Sequence, residues 1–278
     1  MLTDGPDFIW KEVRELSGEN LILAEKLKYE IENNINESKL HSLIKYILQV
    51  TKGDKSIRIL DYGSGKGQLI TYLRLLGYKN VKGVDIKDKI LTDKLNNMHT
   101  NLGFNREVFF SYDGVSLPFD NTSFDLIVSQ QVIEHVHNIN QYFLECDRVL
   151  THGGKLILDF PHRLVPFDTH TRMWFVHYFP ISVRRFFYDK YRNNSATYYS
   201  GLLNLKPIWF YKRVLNKMFS STVDMTPDRI KNFTYGKHYE GNIKIRILLD
   251  KFLSYPIIGK YLIKVFSIIS NATLIVTK

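Results

Sequence analysis

The chain has 278 residues, of which 44% are hydrophobic and 14% aromatic. This content is ample for a packed core and excludes an intrinsically disordered chain. A single cysteine, Cys146, excludes an internal disulfide and indicates a reducing compartment. The stretch Met1–Asp7 is acidic and lacks an apolar run, so we expect no secretory leader. No apolar stretch approaches the roughly 18 residues of a spanning helix, so we expect a cytoplasmic protein.

The net charge of +10 is unevenly distributed. Residues 1–160 contain 19 Lys and Arg against 22 Asp and Glu, whereas residues 161–278 contain 19 against 6. Compositional drift toward lysine would affect both halves alike. The excess of +13 in the second part therefore predicts an anionic partner there: a membrane surface, a phosphorylated substrate or nucleic acid.

The first 50 residues are expected to form a helical segment. Leu40, Leu43, Ile44, Ile47 and Leu48 make an apolar stripe at helical spacing within residues 37–50. This helix is expected to pack on a sheet. For Trp10, in the less regular part before it, core packing is favoured over contact with a substrate.

A strand, a glycine loop and a helix follow at residues 57–76. The strand at 57–60 carries the apolar residues Ile57, Ile59 and Leu60, and the loop reads Asp61-Tyr62-Gly63-Ser64-Gly65-Lys66-Gly67. A second strand at 81–85 ends in Asp85. Doubly wound folds hold an adenosine with such a unit, the loop lying under the ligand and the second acid on the ribose hydroxyls.

Two phosphate-binding interpretations fail at this loop. The pattern G-x-x-x-x-G-K-[ST] of a P-loop is absent, which excludes ATP or GTP bound in that manner. In the dinucleotide pattern G-x-G-x-x-G, the third glycine would stand where Gln68 is. Asp61 would also place a negative charge near a pyrophosphate, so the loop suits a positively charged ligand better.

Further strands are predicted at 107–111, 124–129 and 155–160, the last after a turn at 151–154. Gln130–Val136 is expected to open the helix after the fourth strand. A sixth strand is predicted around 220–225 and a seventh at 273–277. The hundred or so residues between the fifth and last strands indicate an inserted cap.

These motifs resemble the first motifs of class I S-adenosylmethionine-dependent methyltransferases. The similarity is to the small-molecule branch, of the quinone-biosynthesis type, and covers residues 40–162 and the last strand. Besides the glycine loop and Asp85, it is carried by Asp113, Leu117-Pro118-Phe119, Ser123 to Val128, Ile133-Glu134-His135-Val136 and Arg148-Val149-Leu150.

The resemblance implies a doubly wound, Rossmann-like α/β fold. Its seven-stranded sheet would have an antiparallel last strand and carry an inserted helical and aromatic cap. The implied division is an N-terminal helical segment at 1–50, a cofactor-binding core at 51–162, a basic cap with the sixth strand at 163–270, and the last strand at 271–278.

The resemblance also implies the cofactor, S-adenosyl-L-methionine, and the residues that bind it. Asp85 would accept the ribose hydroxyls, and Asp113 the adenine amino group with Gly114 leaving room for the ring. Asp61 would face the ammonium group of the methionyl part. The full set expected to bind the cofactor is Asp61, Gly63, Ser64, Gly65, Asp85, Ile86, Asp113, Gly114, Ser129 and Gln130.

Four residues are candidates for a base that deprotonates the acceptor: His135, His162, Asp168 and His170. His135 would lie beside the cofactor, where a structural role competes with catalysis. Asp168 and His170 are two residues apart and would project to one side of an extended segment. A carboxylate-supported histidine base and a pair of purely structural residues fit this spacing equally well. No metal site is expected.

Residues 244–270 alternate apolar residues with lysine and tyrosine, and Pro256 should divide them into two helices. Packing on the sheet is favoured over contact with a membrane surface. The predicted activity is O-methylation of a small or lipid-linked acceptor, such as a sugar in surface-glycan biosynthesis, in the cytoplasm or peripherally at the inner face of the membrane. The alternatives are an RNA or nucleotide methyltransferase and a non-catalytic, cofactor-binding scaffold.

Overall fold

A computed structural model describes residues 42–65, 67–86, 89–101, 107–168, 173–190, 203–231 and 255–278. Its centre is a seven-stranded sheet with the strand order β3-β2-β1-β4-β5-β9-β8. The strands of this sheet are β1 (Ile59–Tyr62), β2 (Val81–Asp85), β3 (Phe109–Ser111), β4 (Phe124–Gln130), β5 (Leu150–Phe160), β8 (Ser221–Asp224) and β9 (Ala272–Thr277). Two short strands, β6 (Phe167–Asp168) and β7 (Met173–Trp174), pair with each other in a separate hairpin.

Helices flank the sheet on both faces. In chain order they are α1 (Ser42–Thr51), α2 (Gln68–Leu75), α3 (Lys89–Asn101), α4 (Ile139–Val149), α5 (Ile181–Lys190), α6 (Ile208–Met218), α7 (Thr226–Arg229) and α8 (Pro256–Ile269). Within the described ranges, no helix is both long enough and apolar enough to cross a membrane.

Strands β1 to β5 run parallel, and β9 is inserted antiparallel between β5 and β8. Because β8 is antiparallel to β9, it points in the same direction as β5. The carboxyl ends of β1 to β5 and of β8 therefore lie at one edge of the sheet. The predicted fold class, a doubly wound sheet with an antiparallel last strand, is confirmed.

The alternation of β1 divides the core between the two faces of the sheet. Ile59 packs into one cluster with Ile44 and Ile47 of α1, and Leu60 into the other with Phe143 of α4. All of these side chains are buried. The central strand must therefore supply apolar side chains to both faces of the sheet, and Ile59 and Leu60 of β1 do so.

Several predicted boundaries were wrong. The segment Gln130–Val136 does not open a helix: β4 extends to Gln130, a single 3₁₀ turn spans Ile133–His135, and α4 begins at Ile139. Asn138 caps α4, its side-chain oxygen accepting from the amide of Gln141 at 3.1 Å. The predicted turn at 151–154 is part of β5, which begins at Leu150.

Smaller shifts occur elsewhere. The third strand is shorter than predicted, covering Phe109–Ser111, and the described part of the first helix is Ser42–Thr51. Pro256 is the first residue of α8, as a helix-breaking proline allows. The sixth and last strands are confirmed as β8 and β9. The predicted domain boundaries and the helical assignment of residues 1–41 stay predictions, since residues 1–41 lie outside the described ranges.

Arg148 of α4 joins this helix to the turn at Leu117, which lies 31 residues earlier in the sequence. Arg148 donates to the carbonyl oxygens of Leu117 and Phe119, and it pairs with Glu145 at 2.7 Å. Glu145 in turn accepts from the amide of Leu117 at 2.6 Å. The hydrogen bond from Arg148 lowers the pKa of Glu145, which keeps the carboxylate charged. This network holds the turn that leads from β3 into β4.

Candidate functional site

The glycine loop after β1 is folded against β2. The amides of Gly63 and Ser64 donate to the carbonyl oxygen of Val84 at 2.8 and 3.0 Å. Gly63 has φ 88°, and a Cβ on it would lie 2.2 Å from Cγ2 of Val132, so only glycine fits. Gly65 has φ 51°, and a Cβ there would meet nothing within 4 Å. The loop backbone at Gly65 therefore borders open space that a ligand can enter.

Asp85, the last residue of β2, fixes this loop from the side. Its Oδ2 accepts from the amide of Gly65 at 2.7 Å and its Oδ1 from the amide of Ile86 at 2.8 Å. The backbone thus orients this carboxylate beside the open space at Gly65.

Asp61 lies near the end of β1 and is more deeply buried than Asp85. It is paired in register with Gly83 of β2 and Val128 of β4, and only 4% of it is exposed. The absence of a side chain at Gly83 leaves room for Ser64, which would lie 2.8 Å from a Cβ at that position. A carboxylate at this depth is best stabilised by a positively charged group close to it.

Asp113 and Gly114 follow β3 at the same edge. Oδ1 of Asp113 accepts from the amides of Ser116 and Val115 at 2.9 and 2.8 Å, and these hydrogen bonds lower its pKa. Gly114 has φ 82°, and a Cβ on it would lie 3.6 Å from Cγ2 of Ile86, whose side chain is 68% exposed. An exposed apolar side chain beside a glycine and a carboxylate suits a flat ring that carries a hydrogen-bond donor.

The end of β4 forms another part of the edge. Ser129 is buried, and its Oγ accepts from the hydroxyl of Tyr142 at 2.6 Å. The ring of Tyr142 stacks on that of Tyr62 with centroids 4.5 Å apart, and burial raises the pKa of both phenols. Gln130 is half-buried. Gln131, at φ 55°, donates its amide to the carbonyl oxygen of Asp159 at 2.8 Å.

A hydrogen-bonded chain that the sequence did not reveal supports the glycine loop from behind. His99 of α3 lies 2.8 Å from the hydroxyl of Thr71, which donates to the carbonyl oxygen of Gly67 at 2.8 Å. Because that hydroxyl has one proton, Nε2 of His99 must be the donor in the first bond. Burial lowers the pKa of His99 to about 3, so the imidazole is neutral. A lone histidine in an amphipathic helix has no local pattern that marks this role.

The candidate bases are separated by the structure. His135 lies half-buried in the 3₁₀ turn after β4. His162 is fully buried two residues beyond β5, and burial lowers its pKa to about 4. Its Nδ1 accepts from the amide of Leu164 at 3.3 Å. His162 is therefore a neutral, enclosed imidazole in this conformation.

Asp168 is also buried, in the β6–β7 hairpin, and lies 3.6 Å from Nε2 of His177. His177 follows β7 in a 3₁₀ turn and is equally buried. The sequence did not single out His177, because its separation of nine residues from Asp168 becomes a contact only when the hairpin closes. His170, the predicted partner of Asp168, lies outside the described residues.

The residues present fit S-adenosylmethionine. Open space at Gly65, the oriented carboxylate of Asp85 and the buried carboxylate of Asp61 match a glycine-supported chain, a pair of hydroxyls and a cationic group. In the part of the chain that the structure describes, no three His, Cys, Asp or Glu residues are grouped to hold a metal ion. Cys146 is buried beneath the site, and burial raises the pKa of its thiol.

Residues 60–158 match the family model described as a methyltransferase domain. Among curated proteins, the chain is 28% identical over 129 residues to a phosphoethanolamine N-methyltransferase of Plasmodium falciparum, which is 46% of this chain and 47% of that protein. The chain thus spans about half the length of that relative.

Solved structures that are similar to this chain include these two. One is the YcgJ protein of Bacillus subtilis, with 15% identity and a TM-score of 0.49, covering 86% of this chain and 99% of the other. The second is the PH0226 protein of Pyrococcus horikoshii, with 28% identity and a TM-score of 0.37, covering 47% and 62%. Neither likeness bears on the activity, for which the matched family and the geometry of the glycine loop are the basis.

Proposed function

We propose that this chain, whose residues 60–158 belong to the S-adenosylmethionine-dependent methyltransferase family, transfers a methyl group to the hydroxyl of a small or lipid-linked acceptor, such as a sugar in surface-glycan biosynthesis. The cofactor is S-adenosyl-L-methionine. The observation that carries the proposal is the carboxylate of Asp85, which the amides of Gly65 and Ile86 orient at the border of open space.

The chain binds and orients the reactants. When bound, S-adenosylmethionine supplies an activated methyl group on a sulfonium, so catalysis by the protein is mainly a matter of alignment. Asp85 would accept the ribose hydroxyls, and Asp61 would compensate the ammonium charge. Ile86 and Gly114 would receive the adenine, and Asp113 would accept from its amino group.

The acceptor enters from the side of β4 and β5. Ser129 and Gln130 line the methyl-transfer face at the end of β4, where Ser129 accepts a hydrogen bond from the hydroxyl of Tyr142. Deprotonation of a hydroxyl acceptor needs a base whose pKa lies near the operating pH. We assign this role to His170 with Asp168 as its support, keeping His135 and His162 as the competing bases.

Two alternatives have specific support. The similarity to a phosphoethanolamine N-methyltransferase favours a nitrogen acceptor in place of oxygen. The excess of +13 in residues 161–278, together with exposed aromatic residues such as Trp174 and Phe175, favours an RNA or nucleotide acceptor. The acids Asp61, Asp85 and Asp113 argue against a non-catalytic scaffold, because a silent copy need not keep them.

Calorimetry with S-adenosylhomocysteine tests the cofactor assignment. We expect binding by the full chain and no uptake of NAD; uptake of NAD without S-adenosylhomocysteine would contradict the proposal. Incubation with methyl-labelled cofactor and either a lipid extract or total RNA tests the acceptor. Label in the organic phase supports a lipid-linked acceptor, whereas label on RNA overturns it.

The candidate base is tested by substitution. His170→Ala should abolish turnover and leave the affinity for S-adenosylhomocysteine unchanged. Parallel substitutions His135→Ala and His162→Ala are the comparison. Normal turnover by the His170 variant removes that residue from the mechanism.

A further inference from the structure

A cavity lies at the other end of the carboxyl edge from the glycine loop, between α6, α7 and α8. Its volume is 750 Å³. Four strand steps separate β1 from β8 in the sheet, so the ends of these strands are about 19 Å apart at about 4.8 Å per step. A molecule confined to this cavity would therefore not reach the glycine loop, and the cavity is a site in its own right.

The walls of the cavity combine positive charge with apolar surface. The lining includes Asp224 and apolar side chains such as Ile208 and Ile263. It also includes four lysines, Lys212, Lys231, Lys260 and Lys264. Lys212 is paired with Asp224 at 2.6 Å, so one lysine is already compensated. Burial raises the pKa of Asp224, but hydrogen bonds from Lys212 and Thr226 lower it by more. The carboxylate therefore stays charged.

The other three lysines carry the argument. Within the described ranges, no carboxylate forms an ion pair with Lys231, Lys260 or Lys264. Three ammonium groups around one apolar cavity attract a group with more than one negative oxygen, and a phosphate ester has this chemistry. The apolar part of the lining would contact a hydrocarbon chain attached to that phosphate.

Helix α8 carries an apolar stripe beside these lysines. Lys260 and Lys264 are one turn apart, and Tyr261, Val265 and Ile268 follow on the adjacent stripe at helical spacing. Those three side chains are 68%, 53% and 45% exposed. Lysines at the border of an exposed apolar stripe are typical of helices that lie in the surface of an anionic membrane.

We propose that this cavity binds the phosphate of an anionic lipid, and that the stripe Tyr261, Val265 and Ile268 lies in the acyl boundary of the same bilayer. Trp209 of α6, which follows Ile208 of the lining in the sequence, is 61% exposed. The chain would thus attach to the membrane through its basic part and leave the glycine loop free. This proposal does not depend on methyl transfer.

Cosedimentation of the full chain with vesicles tests it. We expect binding to vesicles of phosphatidylcholine with phosphatidylglycerol, little binding to phosphatidylcholine alone, and weakening as salt is raised. The double variant Lys260→Glu/Lys264→Glu should lose on the order of tenfold or more in partition coefficient. Tyr261→Ser/Val265→Ser should lose less, because its charges remain.

The matched control is Lys52→Glu/Lys217→Glu, which changes the net charge equally at exposed positions outside the cavity lining. Equal losses in the two double variants, or no binding by the unmodified chain, would overturn the proposal. Circular dichroism and calorimetry with S-adenosylhomocysteine show separately that each variant is folded and binds cofactor. Lys260→Gln/Lys264→Gln, which adds no repulsion, should show an intermediate loss.

A soluble ligand distinguishes the two sources of a phosphate ester. Glycerol phosphate should compete only weakly with vesicles, because it lacks the hydrocarbon chain. Tight binding of glycerol phosphate by a chain that ignores vesicles would assign the cavity to a small phosphorylated ligand and contradict the membrane proposal.

Discussion

The two ends of the carboxyl edge have opposite chemistry. At β1 and β2 the strands carry carboxylates at their ends, Asp61 and Asp85, that meet a glycine loop. At β8 the strand also ends in a carboxylate, Asp224, but Lys212 covers it and three more lysines surround the cavity beside it. We therefore propose that the same position in the fold holds a cationic group at one end and an anionic group at the other, because the flanking residues set the local field.

The largest expected effect tests the difference between the two strand-end carboxylates. Asp85→Ala should weaken S-adenosylhomocysteine binding by about 100-fold, since about 3 kcal/mol is lost when charge-assisted hydrogen bonds to the ligand and the loop disappear. Calorimetry measures this affinity. Asp224→Asn is the control, and we expect it to bind the cofactor product normally. Equal losses in both variants would mean that the two ends do not act separately.

Substitution of two glycines of the loop should distinguish a contribution to stability from a contribution to cofactor binding. Gly63→Ala should reduce the free energy of unfolding by about 2 kcal/mol, because the new Cβ overlaps Val132 at a left-handed φ. Gly65→Ala meets no neighbour and should cost about 1 kcal/mol, from its backbone conformation alone. Urea denaturation measures both, with and without S-adenosylhomocysteine.

The outcome for Gly65→Ala sharpens the location of the ligand. If the open space beside Gly65 receives the cofactor, stabilisation by S-adenosylhomocysteine should largely vanish in this variant. Full stabilisation of Gly65→Ala by the product would place the cofactor elsewhere.

The support behind the loop should make stability depend on pH. His99 has its pKa lowered to about 3 in the folded chain, so the unfolded chain binds more protons between about 6.5 and 3. The free energy of unfolding therefore falls as the pH is lowered through this window. From about pH 6.5 to about pH 5 the contribution of His99 amounts to about 2 kcal/mol.

Urea titrations at several pH values compare His99→Gln with the native chain. Glutamine can still donate to Thr71 but does not titrate, so the loss on acidification should be smaller in the variant. The exposed His152 provides the matched substitution His152→Gln, for which we expect the native pH dependence. An unchanged dependence in His99→Gln would contradict the assignment.

The smallest expected effect concerns the hydrogen bond from Tyr142 to Ser129 near the end of β4. Tyr142→Phe removes the donor to Ser129 and should cost about 1 kcal/mol of stability. Ser129→Ala removes the other partner and should have a similar cost. If Ser129 only positions the end of β4, both variants should lose turnover to the same extent; a larger loss for Ser129→Ala would indicate direct contact with the reacting groups.

The sequence by itself determined the fold class and the cofactor edge. The apolar strand before Asp61, the glycine spacing and Asp85 at the second strand end are local patterns, and the parallel sheet aligns strand ends without further information. The sixth and last strands were also predictable, because short β-branched runs stand out between helices. The start of α4 was not, since Asn138 and the 3₁₀ turn compete locally with a helix.

Only the tertiary structure decided which distant groups meet. The pair Asp168–His177, the chain from His99 through Thr71 to Gly67, and the clamp of Arg148 on the turn at Leu117 join residues with no shared local pattern. The basic excess of residues 161–278 was visible in the sequence, yet the grouping of four of its lysines around one cavity beside Asp224 was not. Local preference follows from neighbours along the chain, whereas the position of a charge or a buried imidazole follows from packing between elements far apart in sequence.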